Sequence, residues 1–211
     1  MRQQLSKYDI RLEMLKECQA NIDSFNLEIN LPKSLKDSLV GSYDNLQNDH
    51  KLTSIFKESI FTARELMDFI IHRLAYDFKG TVAKDFTKFM IGLSNGNYSK
   101  LDSKCLEYLS NKGVIRGFIT IRNIRNKMKK ELDLTFHCIN KNDLKITLEL
   151  DVPQKLRDKI TNFDEIMNIK NRNEVTDERQ IVKLQETIFP SNFIKDMIMI
   201  FEELKTLCDM K

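Results

Sequence analysis

The sequence predicts a mainly α-helical fold: a helical bundle with a small β-hairpin appendage and a C-terminal helix. Three observations carry this. Only six glycines and three prolines interrupt 211 residues, so helix breakers are sparse. Two long stretches, about 52–78 and 114–130, repeat apolar residues at three- and four-residue intervals. Between about 132 and 150 the apolar period drops to two.

In chain order, Tyr8, Leu12, Leu15 and Cys18 predict a first helix over about 7–20. Pro32 stands where a shorter helix can begin and run through Leu35, Leu39 and Leu46, since a proline at the first helical position forfeits no hydrogen bond. The strongest stripe holds Leu52, Phe56, Ile60, Ala63, Met67, Ile70 and Leu74; it predicts one helix over 52–78, closed by Gly80. A short helix through Val82, Phe86, Phe89 and Met90 ends near Ser94-Asn95-Gly96-Asn97. Asp102 or Ser103 caps the next one, through Leu106, Tyr108 and Leu109, which Asn111-Lys112-Gly113 stops. Val114, Phe118, Ile121, Ile124 and Met128 mark the helix over 114–130.

Leu132, Leu134 and Phe136 alternate with polar residues, as do Leu144, Ile146, Leu148 and Leu150 beyond the turn-rich Asn140-Lys141-Asn142-Asp143, which predicts the hairpin. Pro153 opens a helix to about 169, and 170–174 is a polar loop. Phe193, Met197, Phe201 and Leu204 share one side of a terminal helix over about 190–209, with Pro190 near its start. The chain thus divides into an N-terminal helical segment (1–50), a helical core (51–131), and a hairpin with C-terminal helices packed on that core (132–211).

Composition narrows the function classes. The 34 basic and 31 acidic residues give a net charge of only +3, which argues against a whole-surface polyanion binder and leaves room for a local basic patch. Cys18, Cys105, Cys138 and Cys208 lie far apart with no CxxC pair, so neither a zinc knuckle nor a thioredoxin-like motif is supported; the reading is free thiols in a reducing compartment. No glycine-rich phosphate loop and no metal-ligand spacing occurs, so no cofactor and no metal are expected. The N-terminus lacks the apolar run of a signal peptide, and no run approaches the ~18 apolar residues of a membrane span. A cytoplasmic location without membrane contact is the expectation.

One stretch carries chemistry: Ile121-Arg122-Asn123-Ile124-Arg125-Asn126-Lys127-Met128-Lys129-Lys130, at the end of the second long helix. With the preceding helical run Ser59-Ile60-Phe61-Thr62-Ala63-Arg64-Glu65-Leu66-Met67-Asp68-Phe69-Ile70, it resembles the HEPN superfamily, whose RNA-cleavage motif places an arginine, a polar residue and then a histidine near a helix end. The resemblance covers roughly residues 52–131 and implies an HEPN-like helical bundle. It further implies a metal-independent endoribonuclease of a defence or toxin system such as abortive infection or antiviral defence, RNA as substrate, a homodimer, and an antitoxin or other regulatory partner. Arg125 and Asn126 match the motif, while Lys130 stands at the histidine's place.

The chemistry explains both the motif and the departure from it. In metal-free RNA cleavage the ribose 2′-hydroxyl attacks the adjacent phosphorus. An arginine stays charged and can brace a phosphate through two hydrogen bonds. A histidine exchanges protons near neutral pH. A lysine, with an unperturbed pKa of about 10.4, holds no free lone pair there and is a poor base. General-base catalysis contributes about 10²–10⁴-fold in rate, so little or no cleavage is expected with Lys130 in place. Either a naturally inactive relative or a nuclease disarmed by substitution fits, and the alternative function is a non-catalytic RNA- or protein-binding HEPN module.

Further residues join the candidate site. Arg116, Arg122, Lys127 and Lys129 form a candidate basic rim for RNA phosphates, with a solvated helix end as the plain alternative. Arg125 lies on the edge of the apolar stripe and could instead brace its helix against Asp68. Glu65, Asp68 and His72 share one helix face as candidate supporting residues, or as an ordinary exposed face. His137, in the predicted strand, is a remote candidate for the missing imidazole.

Overall fold

The computed structural model describes residues 6–24, 50–129, 136–140, 143–169 and 181–208. Among these, the chain is mainly helical with one three-stranded antiparallel sheet. The helix predicted at Pro32, the loop at 170–174, Lys130, and Leu132 and Leu134 lie outside the described residues.

Helix α1 (Lys7–Asp23) starts at a reciprocal cap. The Ser6 hydroxyl accepts from the Asp9 N–H, and the Asp9 carboxylate accepts from the Ser6 N–H. Helix α2 (His50–Asp77) follows the long stripe, and Gly80 beyond it takes the left-handed φ of +76° that a side chain would resist. Helix α3 (Phe86–Ser94) starts later than its apolar spacing suggests: Asp85 accepts from the Lys88 N–H and caps it, so Val82 packs from the preceding turn.

Helix α4 (Ser103–Leu109) is capped by Asp102, which accepts from the Lys104 and Cys105 N–H groups. Asn111, expected to help stop that helix, instead begins the next. Its side-chain oxygen accepts from the Gly113 N–H at 2.8 Å and caps α5 (Lys112–Met128), two residues upstream of the predicted start.

Strands β1 (Phe136–Asn140) and β2 (Asp143–Pro153) form the expected hairpin, with Phe136 opposite Ile146. A third strand, β3 (Ile181–Ile188), was not anticipated; it pairs antiparallel along β2, with Leu150 opposite Leu184 and Val152 opposite Val182. Its inner row is Val182, Leu184, Glu186 and Ile188, and the charged Glu186 hides the alternation. The single helix expected after Pro153 is two short pieces, α6 (Gln154–Lys159) and α7 (Phe163–Ile166). Ile160 turns extended and Asn162 adopts a left-handed φ of 58°, so the backbone cannot run through. Helix α8 (Pro190–Leu207) begins at Pro190 and buries Ile194, Met197, Phe201 and Leu204.

Helix α1 packs against α2 and α8, α2 packs against α5, and the inner face of β2 covers another side of α5. The Tyr8 hydroxyl donates to the Phe201 carbonyl at 2.7 Å, and Phe118 stacks on Phe201, so α1, α5 and α8 close around one centre. The buried apolar residues, from Tyr8 to Leu204, form one continuous cluster. Helix α5 is therefore gripped on two flanks, by α2 and by the sheet.

Candidate functional site

Helical spacing fixes what α2 and α5 present where they meet. On α2, Phe61, Arg64 and Asp68 are three and four residues apart and share a face; on α5, Arg122, Arg125 and Lys129 have the same spacing. Phe86, the first residue of α3, fills the space beside them. The Arg64 and Arg122 guanidiniums lie 5.2 and 5.1 Å from the centre of the Phe86 ring, and that of Arg125 lies 6.0 Å from the ring of Phe61. Three arginines from two helices thus converge around two aromatic rings.

Their countercharge is short. Asp68 takes Arg64 through two contacts, Nε to Oδ2 at 3.0 Å and Nη2 to Oδ1 at 2.8 Å. Neither Arg122 nor Arg125 has a salt bridge among the described residues. Burial holds the Arg64 guanidinium below its ordinary pKa, Asp68 opposes that shift, and the neighbouring Arg125 adds to it. Burial likewise lowers Arg122, with the Arg64 charge as the second cause and Asp85 opposing.

Arg64 Nη1 and Arg125 Nε are buried with no hydrogen-bond partner among the described residues. Buried donors are normally bonded, so two orphaned N–H groups from neighbouring guanidiniums have a common explanation in an oxygen-rich anion. The bond from Arg125 Nη1 to the Asn126 side-chain oxygen, at 3.5 Å, is at the outer limit of the interaction and does not replace one.

The other sequence candidates separate. Arg116 and Lys127 point to the opposite flank of α5, where both are occupied. Arg116 Nη2 donates to the two oxygens of the buried Glu186 at 2.8 and 3.1 Å, and Lys127 donates to the carbonyl of Glu149. Lys129 is exposed at the end of α5, on the Arg122 side. On α2, Glu65 pairs with Arg11 of α1, and exposed His72 lines a groove of about 660 Å³ with Lys7, Ile10 and Asp68. Asp68, the partner proposed for Arg125, holds Arg64 instead. The side chain of His137 lies outside the described residues.

Sequence reading passed over Arg64 and Phe86. Arg64 sits between Ile60 and Met67, on the border of the apolar stripe, with an acid four residues on; that placement of a long cation was the available signal. Phe86 reads only as core, because nothing local says that two arginines lie over its ring.

Among the described residues, no group of three metal-ligating side chains comes together and no helix is long and apolar enough to cross a membrane. Comparison with known proteins finds no matching family model, no matching curated relative and no matching solved structure.

Proposed function

We propose that the Arg64, Arg122 and Arg125 surface binds the phosphates of RNA, and that the chain is an HEPN-type endoribonuclease module of a defence or toxin system, acting without metal and held nearly silent by Lys130. The supporting observation is the pair of buried guanidinium N–H groups that have no partner among the described residues, within a cluster of three arginines that has one described carboxylate in contact. Phosphate oxygens accept bonds from such a cluster bidentately, and Phe61, 37% exposed beside Arg125, offers a ring on which a base can stack. Asn126 and Lys129 continue the same side of α5 at its C-terminal end.

The second reading is a module that binds RNA without cutting it, or binds a protein, and Lys130 favours it over catalysis because an ammonium supplies no base. A homodimer, with an antitoxin or other regulatory partner, belongs to the enzyme reading.

Binding to a single-stranded RNA oligonucleotide, followed by fluorescence anisotropy, tests the surface. Neutralising two to three phosphates gives a logarithmic salt slope of about −1.4 to −2.1, a loss of affinity of roughly 7- to 20-fold between 50 and 200 mM salt. Arg122→Ala and Arg125→Ala each flatten that slope. Cleavage in EDTA after Lys130→His, abolished again by Arg125→Ala, separates the enzyme from the binder. Salt-independent or absent RNA binding removes both RNA readings.

A further inference from the structure

We propose that Cys105 and Cys208 are a covalent site, forming an intramolecular disulfide when the protein meets hydrogen peroxide and thereby clamping the end of α8 onto α4. The two sulfurs stand 3.3 Å apart although 103 residues separate them in sequence. Cys105 is the third residue of α4 and is buried; Cys208 terminates α8 and is half-buried. Helix α8 packs directly on α4, so the meeting of the thiols belongs to an established helix contact. A disulfide needs sulfurs at about 2.05 Å, so closure asks for little more than an ångström, within reach of side-chain rotation. Cys18 is held apart in the core face of α1, where burial pushes its thiol up to about 11 and leaves it inert.

One thiol of the pair attacks a peroxide oxygen, the O–O bond breaks, and the departing hydroxide takes that thiol's proton as water, leaving a sulfenic acid. The facing sulfur, 3.3 Å away, then attacks the sulfenic sulfur. The S–O bond breaks, and the second hydroxide leaves as water with the second thiol's proton. Two thiols are oxidised and one peroxide is reduced to two waters. The hydrogen bond between the thiols holds the Cys105 pKa below its ordinary value and, together with burial, pushes the Cys208 thiol up.

The native, full-length protein is exposed to a small excess of hydrogen peroxide, alkylated and digested with trypsin. Cleavage after Lys104, Lys112 and Lys205 places the cysteines in peptides 105–112 and 206–211. The expected product is these two peptides joined, and lost on reduction. Because the closed loop is about 100 residues long, the oxidised protein should melt about 10 °C above the reduced one, a gain that Cys208→Ser removes. Full alkylation of both thiols after peroxide, independent over-oxidation of each, or a link from either one to Cys18 or Cys138 overturns the proposal. The peptide readout uses the unaltered protein, so it stands whether or not the serine variant folds.

Discussion

Replacing Arg125 with methionine separates a side chain kept for the fold from one kept for a ligand. Methionine preserves much of the arginine stem and removes a guanidinium whose Nε is buried without a partner among the described residues. An unsatisfied buried donor costs about 1–3 kcal/mol. The charge also bears on Arg64, which Arg125 pushes toward its neutral form, so removing it relieves repulsion. Against this stand the contact over Phe61 at 6.0 Å, worth about 0.5 kcal/mol beside so exposed a ring, and the 3.5 Å approach to Asn126, worth little. The balance predicts that Arg125→Met is more stable than the parent by about 1 kcal/mol, or about 2–4 °C in melting temperature for a chain of this length. The assay is thermal denaturation at low salt, at high salt, and with inorganic phosphate. The parent should gain from added salt and more from phosphate, while the variant should respond weakly to both. A variant that melts several degrees below the parent at low salt would refute the reasoning, because the guanidinium would then be holding the helices together instead of waiting for an anion.

Two further outcomes follow from the same geometry. Arg116→Met strands the Glu186 carboxylate in the sheet interior; because Arg116 is itself a third exposed and water can follow it in, the expected cost is about 2 kcal/mol, or about 4–8 °C, and a second substitution, Glu186→Leu, should restore most of it in the same melting assay. Burial is the main cause that raises Cys18 from 9.0 to about 11, with Glu58 and Glu17 adding to it, so the folded state keeps a proton that the unfolded chain loses. This stability is fully present below pH 9 and drains away as pH rises through 11, up to about 2–3 kcal/mol, and urea titrations across that range should show a shallower decline in Cys18→Val.

The sequence was informative wherever one face of an element stays apolar throughout. The stripe from Leu52 to Leu74 and the spacing from Val114 to Met128 each became a helix close to its predicted bounds. Local signals with two uses were less decisive. Asn111 is both a common helix stop and a good helix start, and only the bond to the Gly113 N–H distinguishes them. β3 escaped because its inner row carries Glu186, whose partner Arg116 lies 70 residues away, and no window of sequence can reveal that an inward acid will be neutralised. The site divides the same way. Arg122 and Arg125 are visible as basic residues on a helix end, but their separation from Arg116 and Lys127 by the thickness of α5, the meeting of Arg122 with Arg64 over Phe86, and the approach of Arg125 to Phe61 are products of packing between elements distant in the chain.

The Arg116–Glu186 pair has a consequence for how the sheet is assembled. Apolar alternation alone tells β3 which side faces inward but not how far to slide along β2, since a shift by two residues keeps Val182, Leu184 and Ile188 inside. Such a shift moves Glu186 by about 7 Å, beyond the grasp of a guanidinium anchored on α5, and buries its charge alone. One acid among the inner residues therefore acts as an alignment peg, penalising slipped pairings of an edge strand that greasy contacts would tolerate.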